Sequence, residues 1–122
     1  MILATVRMTI APQRRDQVSK TLKSMVRDTT IQPGCISSEL YHDESKEAVF
    51  VCEQVWKNQD VLNLYLRSED YRRMLVLIEL ADEPPEIKFQ TISETGGIEV
   101  IEKARGVTSN EPCNFISSID QS

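Results

Sequence analysis

The chain is short of several things that chemistry usually needs. Its 122 residues include a single histidine, so a histidine-rich metal centre cannot be assembled within one copy, and no EF-hand loop is present. Three cysteines, Cys35, Cys52 and Cys113, form no CxxC pair and are odd in number. That argues against a disulfide framework and leaves a buried small hydrophobe as the expected role. The four glycines are not arranged as GxGxxG, GxxxxGK[ST] or GxSxG, which removes the usual handles for nucleotide and serine-hydrolase chemistry. No apolar run approaches the roughly 20 residues that span a bilayer, so no membrane partner is expected. The opening "MILATVRMTI" lacks the charged n-region and small-residue cleavage site of a secretory leader, and the expected compartment is cytoplasmic. Basic residues are outnumbered 14 to 19, a net charge of −5, which speaks against a nucleic-acid partner.

What is present reads as one soluble domain. Ile2, Ala4, Val6, Met8 and Ile10 alternate with Thr5, Arg7 and Thr9, a half-buried strand that Pro12 ends. From about Arg14 the period lengthens: Val18, Leu22, Met25, Val26 and Thr29 predict an amphipathic helix, with Arg14, Arg15, Lys20, Lys23 and Arg27 on its solvated side. "QPGC" stops it. A second strand from Cys35 to about His42 and a third from about Glu47 to Trp56 flank the turn "DESK" and form an antiparallel hairpin. Asn58 caps a short helix bearing Val61, Leu62, Tyr65 and Leu66. Ser68 caps another, whose buried stripe is expected at Tyr71, Met74, Leu75, Ile78 and Leu77. "DEPPE" leads to a fourth strand over residues 86–94, and "IEVIEKA" after Gly96 and Gly97 is expected to add an edge strand.

The order β-α-β-β-α-β is that of the ferredoxin-like α+β sandwich, an antiparallel sheet with its helices on one face. The domain is expected over residues 1–104, with 105–122 a tail, mobile or docked on a partner. The third strand disturbs a simple one-sided sheet. Phe50, Cys52, Gln54 and Trp56 share one face, yet Val49, Val51 and Val55, with Glu53, make the other almost as apolar. A strand apolar on both faces should be covered on both, and a second copy is the economical cover. Arg7 is expected to pair with Glu53 on that second face.

"QPGCISSELYHD" at 32–43, "FVCEQVW" at 50–56, "LYLRSEDYRRM" at 64–74 and "PPEIKFQ" at 84–90 together resemble the antibiotic biosynthesis monooxygenase domain family. The resemblance runs from Met1 to about Ser93. It implies a dimeric α+β barrel, built as a homodimer, with a pocket between sheet and helices in each subunit. The implied activity is cofactor-independent oxygenation of a quinol or polycyclic aromatic, so the expected ligand is a small aromatic or quinone-type molecule and no cofactor. The alternative is a non-catalytic ligand-binding or regulatory homodimer. Departures favour it: many members of the family carry Glu where this chain has Gln54, and His at the positions of Tyr65 or Asp70. The Asn, Trp and His of haem-degrading members fall on Val6, Tyr65 and Leu75, which speaks against haem degradation.

Cofactor-free oxygenation needs a substrate anion, donors that stabilise it, and a dry pocket. Trp56 and Tyr65 are the candidate catalytic residues, an indole N–H and a phenol on apolar stripes. Gln54, Asn63, Tyr71, Arg72 and His42 are the candidate ligand-binding residues. His42 is the one group with an ordinary pKa near neutrality. No metal ligands are expected.

Overall fold

Strict alternation makes Ile2–Thr9 the first strand (β1), with Ile2, Ala4, Val6 and Met8 buried. A 3-10 turn at Pro12–Arg14 leads into α1 (Arg15–Thr30), which buries Val18, Leu22, Met25 and Thr29 as its spacing requires. β2 (Cys35–His42) and β3 (Val49–Trp56) follow, then α2 (Gln59–Leu66), α3 (Glu69–Glu79), β4 (Glu86–Thr91) and α4 (Ile98–Arg105). This computed structural model describes residues 1–43, 45–46 and 48–106. They fall in two compact units: Met1–Ile92, and a second beginning at Ser93 whose described part contains α4. Most of the sequence expected to form a tail lies outside the described residues. Among the described residues no helix is long and apolar enough to cross a membrane.

The sheet order is β2-β3-β1-β4, every neighbouring pair antiparallel. β1 and β2 are both antiparallel to the β3 between them, so they run parallel to each other, which is the split arrangement of the ferredoxin-like α+β fold. One face carries Ile2, Ala4, Val6 and Met8 of β1 beside Trp56, Gln54, Cys52 and Phe50 of β3. Val18, Leu22 and Met25 of α1 and Met74 and Leu77 of α3 close over its Phe50 end, while Leu62 and Tyr65 of α2 close over its Trp56 end.

Helix ends follow the local chemistry. Asn58 Oδ1 accepts from Val61 N at 3.0 Å and caps α2. Ser68 Oγ accepts from Tyr71 N at 3.2 Å while its hydroxyl donates to Tyr65 O at 2.6 Å, so one side chain starts α3 and ends α2. The turn between β2 and β3 is an Asx turn, with Asp43 Oδ1 accepting from Ser45 N at 2.9 Å.

Three expectations are corrected. "IEVIEKA" forms helix α4, not an edge strand. The run Ile98, Ile101, Glu102 and Arg105 has helical spacing, Glu99 and Lys103 suit the helix dipole, and Gly106 closes the end at φ 76°. Leu75 is 46% exposed, because α3 turns Met74 and Leu77 to the sheet. Arg7 pairs with Asp43 at 3.2 Å rather than with Glu53: the register sets Glu53 opposite Thr5, and the turn brings the Asp43 carboxylate to the guanidinium.

Gly34 follows α1 at φ +84°, and an added Cβ would lie 2.6 Å from Val61 Cβ and Cγ2. Gly34→Ala is therefore expected to cost about 2 kcal/mol or more, combining left-handed strain with a clash into α2. Thermal unfolding should show a lower Tm, only partly restored in the Gly34→Ala, Val61→Ala double variant; an unchanged Tm would refute this account.

Candidate functional site

Gln54 projects from β3 between two small neighbours, Ser38 on β2 and Ala4 on β1. That gap gives its side chain room to run beneath α2 towards Trp56, two residues on and on the same face. Trp56 is fully buried, and Gln54, Tyr65 and Thr29 are buried with it. The Trp56 and Tyr65 rings stack at 4.6 Å and 27°, and Tyr71 meets Tyr65 edge-on at 5.4 Å and 67°.

The polar atoms form one chain whose direction follows from valence. An indole N–H can only donate, so Trp56 Nε1, 3.2 Å from Gln54 Oε1, sets the amide's oxygen towards itself. The amide nitrogen then faces Tyr65 and donates to its hydroxyl oxygen at 3.3 Å. Thr29 spends its single hydroxyl proton on Met25 O at 2.7 Å. Across the 3.5 Å gap to Thr29, Tyr65 must therefore be the donor. Protons point from Trp56 through Gln54, Tyr65 and Thr29 into the backbone of α1. Thr29 was expected only as part of an apolar stripe; its polar role depends on α1 passing over β3, which no local pattern reveals.

Ser38 Oγ, across the β2–β3 pair from Gln54, is buried and has no hydrogen-bond partner among the described residues. It is the unspent hydroxyl of this layer, and the sequence reading passed over it.

A recess of about 120 Å³ opens beside the chain, lined by Gln32, Pro33, Trp56, Val61, Leu64, Tyr65 and Ser68. Gln32 Nε2 donates to Asp70 Oδ2 at 2.8 Å, which ties its rim to the first turn of α3. The remaining predicted residues lie elsewhere. Asn63 is on the outer side of α2, where its Oδ1 accepts from Gln59 Nε2 at 2.8 Å. Arg72 is exposed and 3.8 Å from Glu69. His42 is an exposed residue whose ring stacks on Phe50 at 4.8 Å, within a different recess. The structure thus brings Gln54, Trp56, Tyr65 and Tyr71 together and leaves Asn63, Arg72 and His42 apart.

Burial, and next the neighbouring Tyr65, push the Tyr71 phenol above its ordinary pKa. Burial alone pushes the Cys52 thiol up to about 12, and burial also raises Cys35, so neither is poised as a thiolate nucleophile. The arrangement sets aromatic rings beside the recess, and no charged side chain is among the described residues that line it; the Asp70 carboxylate is held by Gln32 at the rim.

A third opening is geometric. Ile87 and Phe89 of β4 share the helix-facing side of the sheet with Val6 and Ala4, yet they are 42% and 48% exposed. The helix layer therefore leaves β4 uncovered within this unit.

The sequence model of a family described as antibiotic biosynthesis monooxygenase matches residues 1–76. An uncharacterised protein of Synechocystis is 25% identical over 87 residues, which cover 70% of this chain. The chain spans 59% of the length of that curated relative. A solved Deinococcus radiodurans structure superimposes with a TM-score of 0.74 at 14% identity, covering 80% of this chain and 98% of the other. A Mycobacterium tuberculosis structure gives 0.71 at 18% identity, with 79% and 98% covered, and a Methanosarcina mazei structure 0.67 at 21%, with 73% and 89%. At these identities the structural likeness speaks to the fold.

Removing a hydroxyl should have opposite consequences at two positions. Tyr65→Phe strands the Gln54 amide proton and is expected to cost about 1–3 kcal/mol, whereas Ser38→Ala deletes an unpartnered group and should be neutral or stabilising. Denaturant unfolding of both variants checks this; equal losses would contradict the hydrogen-bond assignment.

Proposed function

The chain belongs to the antibiotic biosynthesis monooxygenase family, and from that premise we propose that it is a homodimeric, monooxygenase-like protein acting on a single-ring, quinol-type aromatic at the Trp56–Tyr65 recess. One observation carries the reading: the stacked Trp56 and Tyr65 rings border a recess of about 120 Å³. At about 120 Å³ the recess is smaller than the ~150 Å³ apolar cavity that holds a benzene ring, so one ring is the most it admits and a polycyclic is too large. A larger substrate would have to displace Leu64, which stands 64% exposed on the lining.

The chemistry asked of the chain is modest. A quinol that has lost a proton passes one electron to O₂, and the radical pair combines to a ring hydroperoxide. Loss of water leaves a hydroxyquinone: one oxygen atom enters the product and the other leaves in the water. The protein's part is to hold the ring against Trp56 and Tyr65 and to keep the intermediate dry. Gln54 cannot take the proton at neutral pH, so the substrate's own acidity must supply the anion. Gln54 instead holds the indole and the phenol in register through its two hydrogen bonds.

A second reading, a non-catalytic aromatic-binding homodimer, is favoured by that same amide. Trp56 N–H is spent on Gln54, the Gln54 amide on Tyr65 and Tyr65 O–H on Thr29, so these donors are engaged inside the protein and apolar contact is what remains for a ligand.

The homodimer rests on the sheet's second face. Leu3, Val51 and Val55 lie there half-buried, beside Val49. Glu39 and Glu53 stand opposite each other on β2 and β3, while on the β1 and β4 side of the same face Arg7 is paired with Asp43 and Lys88 with Glu86. A second copy turned by a two-fold axis would cover the valines.

With purified protein, single-ring hydroquinones are expected to consume oxygen, and heavy O₂ should place one labelled atom in the product. Trp56→Phe and Tyr65→Phe should each slow uptake by about tenfold or more. Full activity in both variants would sink the enzyme reading. Background uptake with a retained aromatic seen by native mass spectrometry would establish the binding one. For assembly, light scattering should report twice the chain mass, and Val51→Asp should weaken the dimer by about tenfold or more by placing a charge among buried valines; a monomer at all concentrations would overturn the pairing.

A further inference from the structure

The Trp56–Tyr65 recess is not the largest space on the helix side of the sheet. Under the first two turns of α1 lies another, of about 340 Å³, lined by Arg15, Asp16, Ser19 and Lys23 from the helix and by Leu40, His42 and Phe50 from the sheet. Its volume falls in the range of small-molecule sites, which start near 300 Å³. Asp16, Ser19 and Lys23 stand at i, i+3 and i+7, so one stripe of α1 forms the polar wall. His42 and Phe50 are cross-strand partners with stacked rings, so the opposite wall is aromatic, extended by Leu40.

We propose that this recess binds a planar aromatic monocarboxylate, separately from the Trp56–Tyr65 site. The ring would lie along Phe50 and His42, and the carboxylate would meet the Lys23 ammonium within the field of Arg15. Lys23 and Arg15 line the recess together with one acid, Asp16, on a chain whose net charge is −5. No ion pair takes up Lys23 among the described residues. Asp16 on the same wall opposes a second negative charge on the ligand, which selects a monoanion over a phosphate dianion. Leu40 and Phe50 reward an apolar body, which selects an aromatic acid over a bare inorganic anion. The basic residues of α1, read from sequence as a solvated face, thus include two that line a cavity. The site lies on the helix side, so a sheet-to-sheet homodimer leaves it open.

The composition provides two reporters. The chain has one histidine and one tryptophan, so the His42 ring protons report on this recess alone and the Trp56 indole proton on the other. Naphthoate titrated into the full chain at fixed pH is expected to shift the His42 signals saturably in the millimolar range or below, with the indole signal still. Lys23→Gln should weaken that binding by about five- to tenfold, the loss of one charge-assisted contact. Neutral naphthalenemethanol and inorganic phosphate should each bind more weakly than naphthoate. The proposal is overturned by an absence of saturable His42 shifts, by unchanged affinity in Lys23→Gln, or by either control binding as tightly. Movement of the indole signal alone would overturn it too, and would leave the reading of the Trp56–Tyr65 recess standing.

Discussion

A buried amide has to be satisfied at both ends, and much of this domain is arranged around meeting that demand for Gln54. Its oxygen takes the only proton Trp56 can offer, and its nitrogen can then reach only the Tyr65 oxygen. Tyr65 passes the chain to Thr29, and Thr29 ends it on a helix carbonyl. Trp56 and Gln54 come from β3, Tyr65 from α2 and Thr29 from α1. A one-residue slip in β3 would turn Gln54 and Trp56 out of the core together, and a shift of α2 would open the link to Tyr65. The small residues flanking Gln54, Ala4 and Ser38, make the space in which this happens. The network therefore joins sheet to helices with specificity that apolar packing alone would not supply.

The same economy shapes the chemistry. Trp56 and Tyr65 are the residues a cofactor-free oxygenase would want near an aromatic ring, yet their polar atoms are committed to holding the layer together. Trp56 is fully buried behind the recess, and Tyr65 is only 4% exposed. A carboxylate at position 54 would add a base, but it would also bring a charge into a layer that has no cation to meet it. The amide avoids that penalty and keeps the geometry.

Charge is distributed unevenly over the domain. On the second sheet face Glu39 and Glu53 are neighbours on β2 and β3, whereas Arg7 and Lys88 on β1 and β4 are met by Asp43 and Glu86. On the helix side, α1 brings Arg15 and Lys23 with Asp16 beside an aromatic wall. Neither pattern is visible in the net charge of −5, because each depends on which strands are neighbours.

Local rules made much of the fold legible. Period-two alternation marked β1 and β3, the caps Asn58 and Ser68 marked the starts of α2 and α3, and Gly34 marked the turn before β2. The errors came where local signals compete. "IEVIEKA" alternates for three residues and then takes helical spacing, and the glycine that closes it lies beyond the apolar run. Leu75 and Leu77 both lie near the helical stripe through Met74, and only the packing of α3 against the sheet buried Leu77 and left Leu75 out. For the site, the pairing of Gln54 with Trp56 was readable because strand residues two apart must share a face. The sequence by itself determined the element order from β1 to β4, the buried side of β1 and β3 and the candidates on it, since these depend on contacts within a few residues. Only the tertiary structure decided that Tyr65 and Thr29 complete the Gln54 chain, that Ser38 is left out, and that His42 faces a recess of its own. Those outcomes depend on where α1 and α2 cross the sheet, a distance between chain segments that no local period encodes.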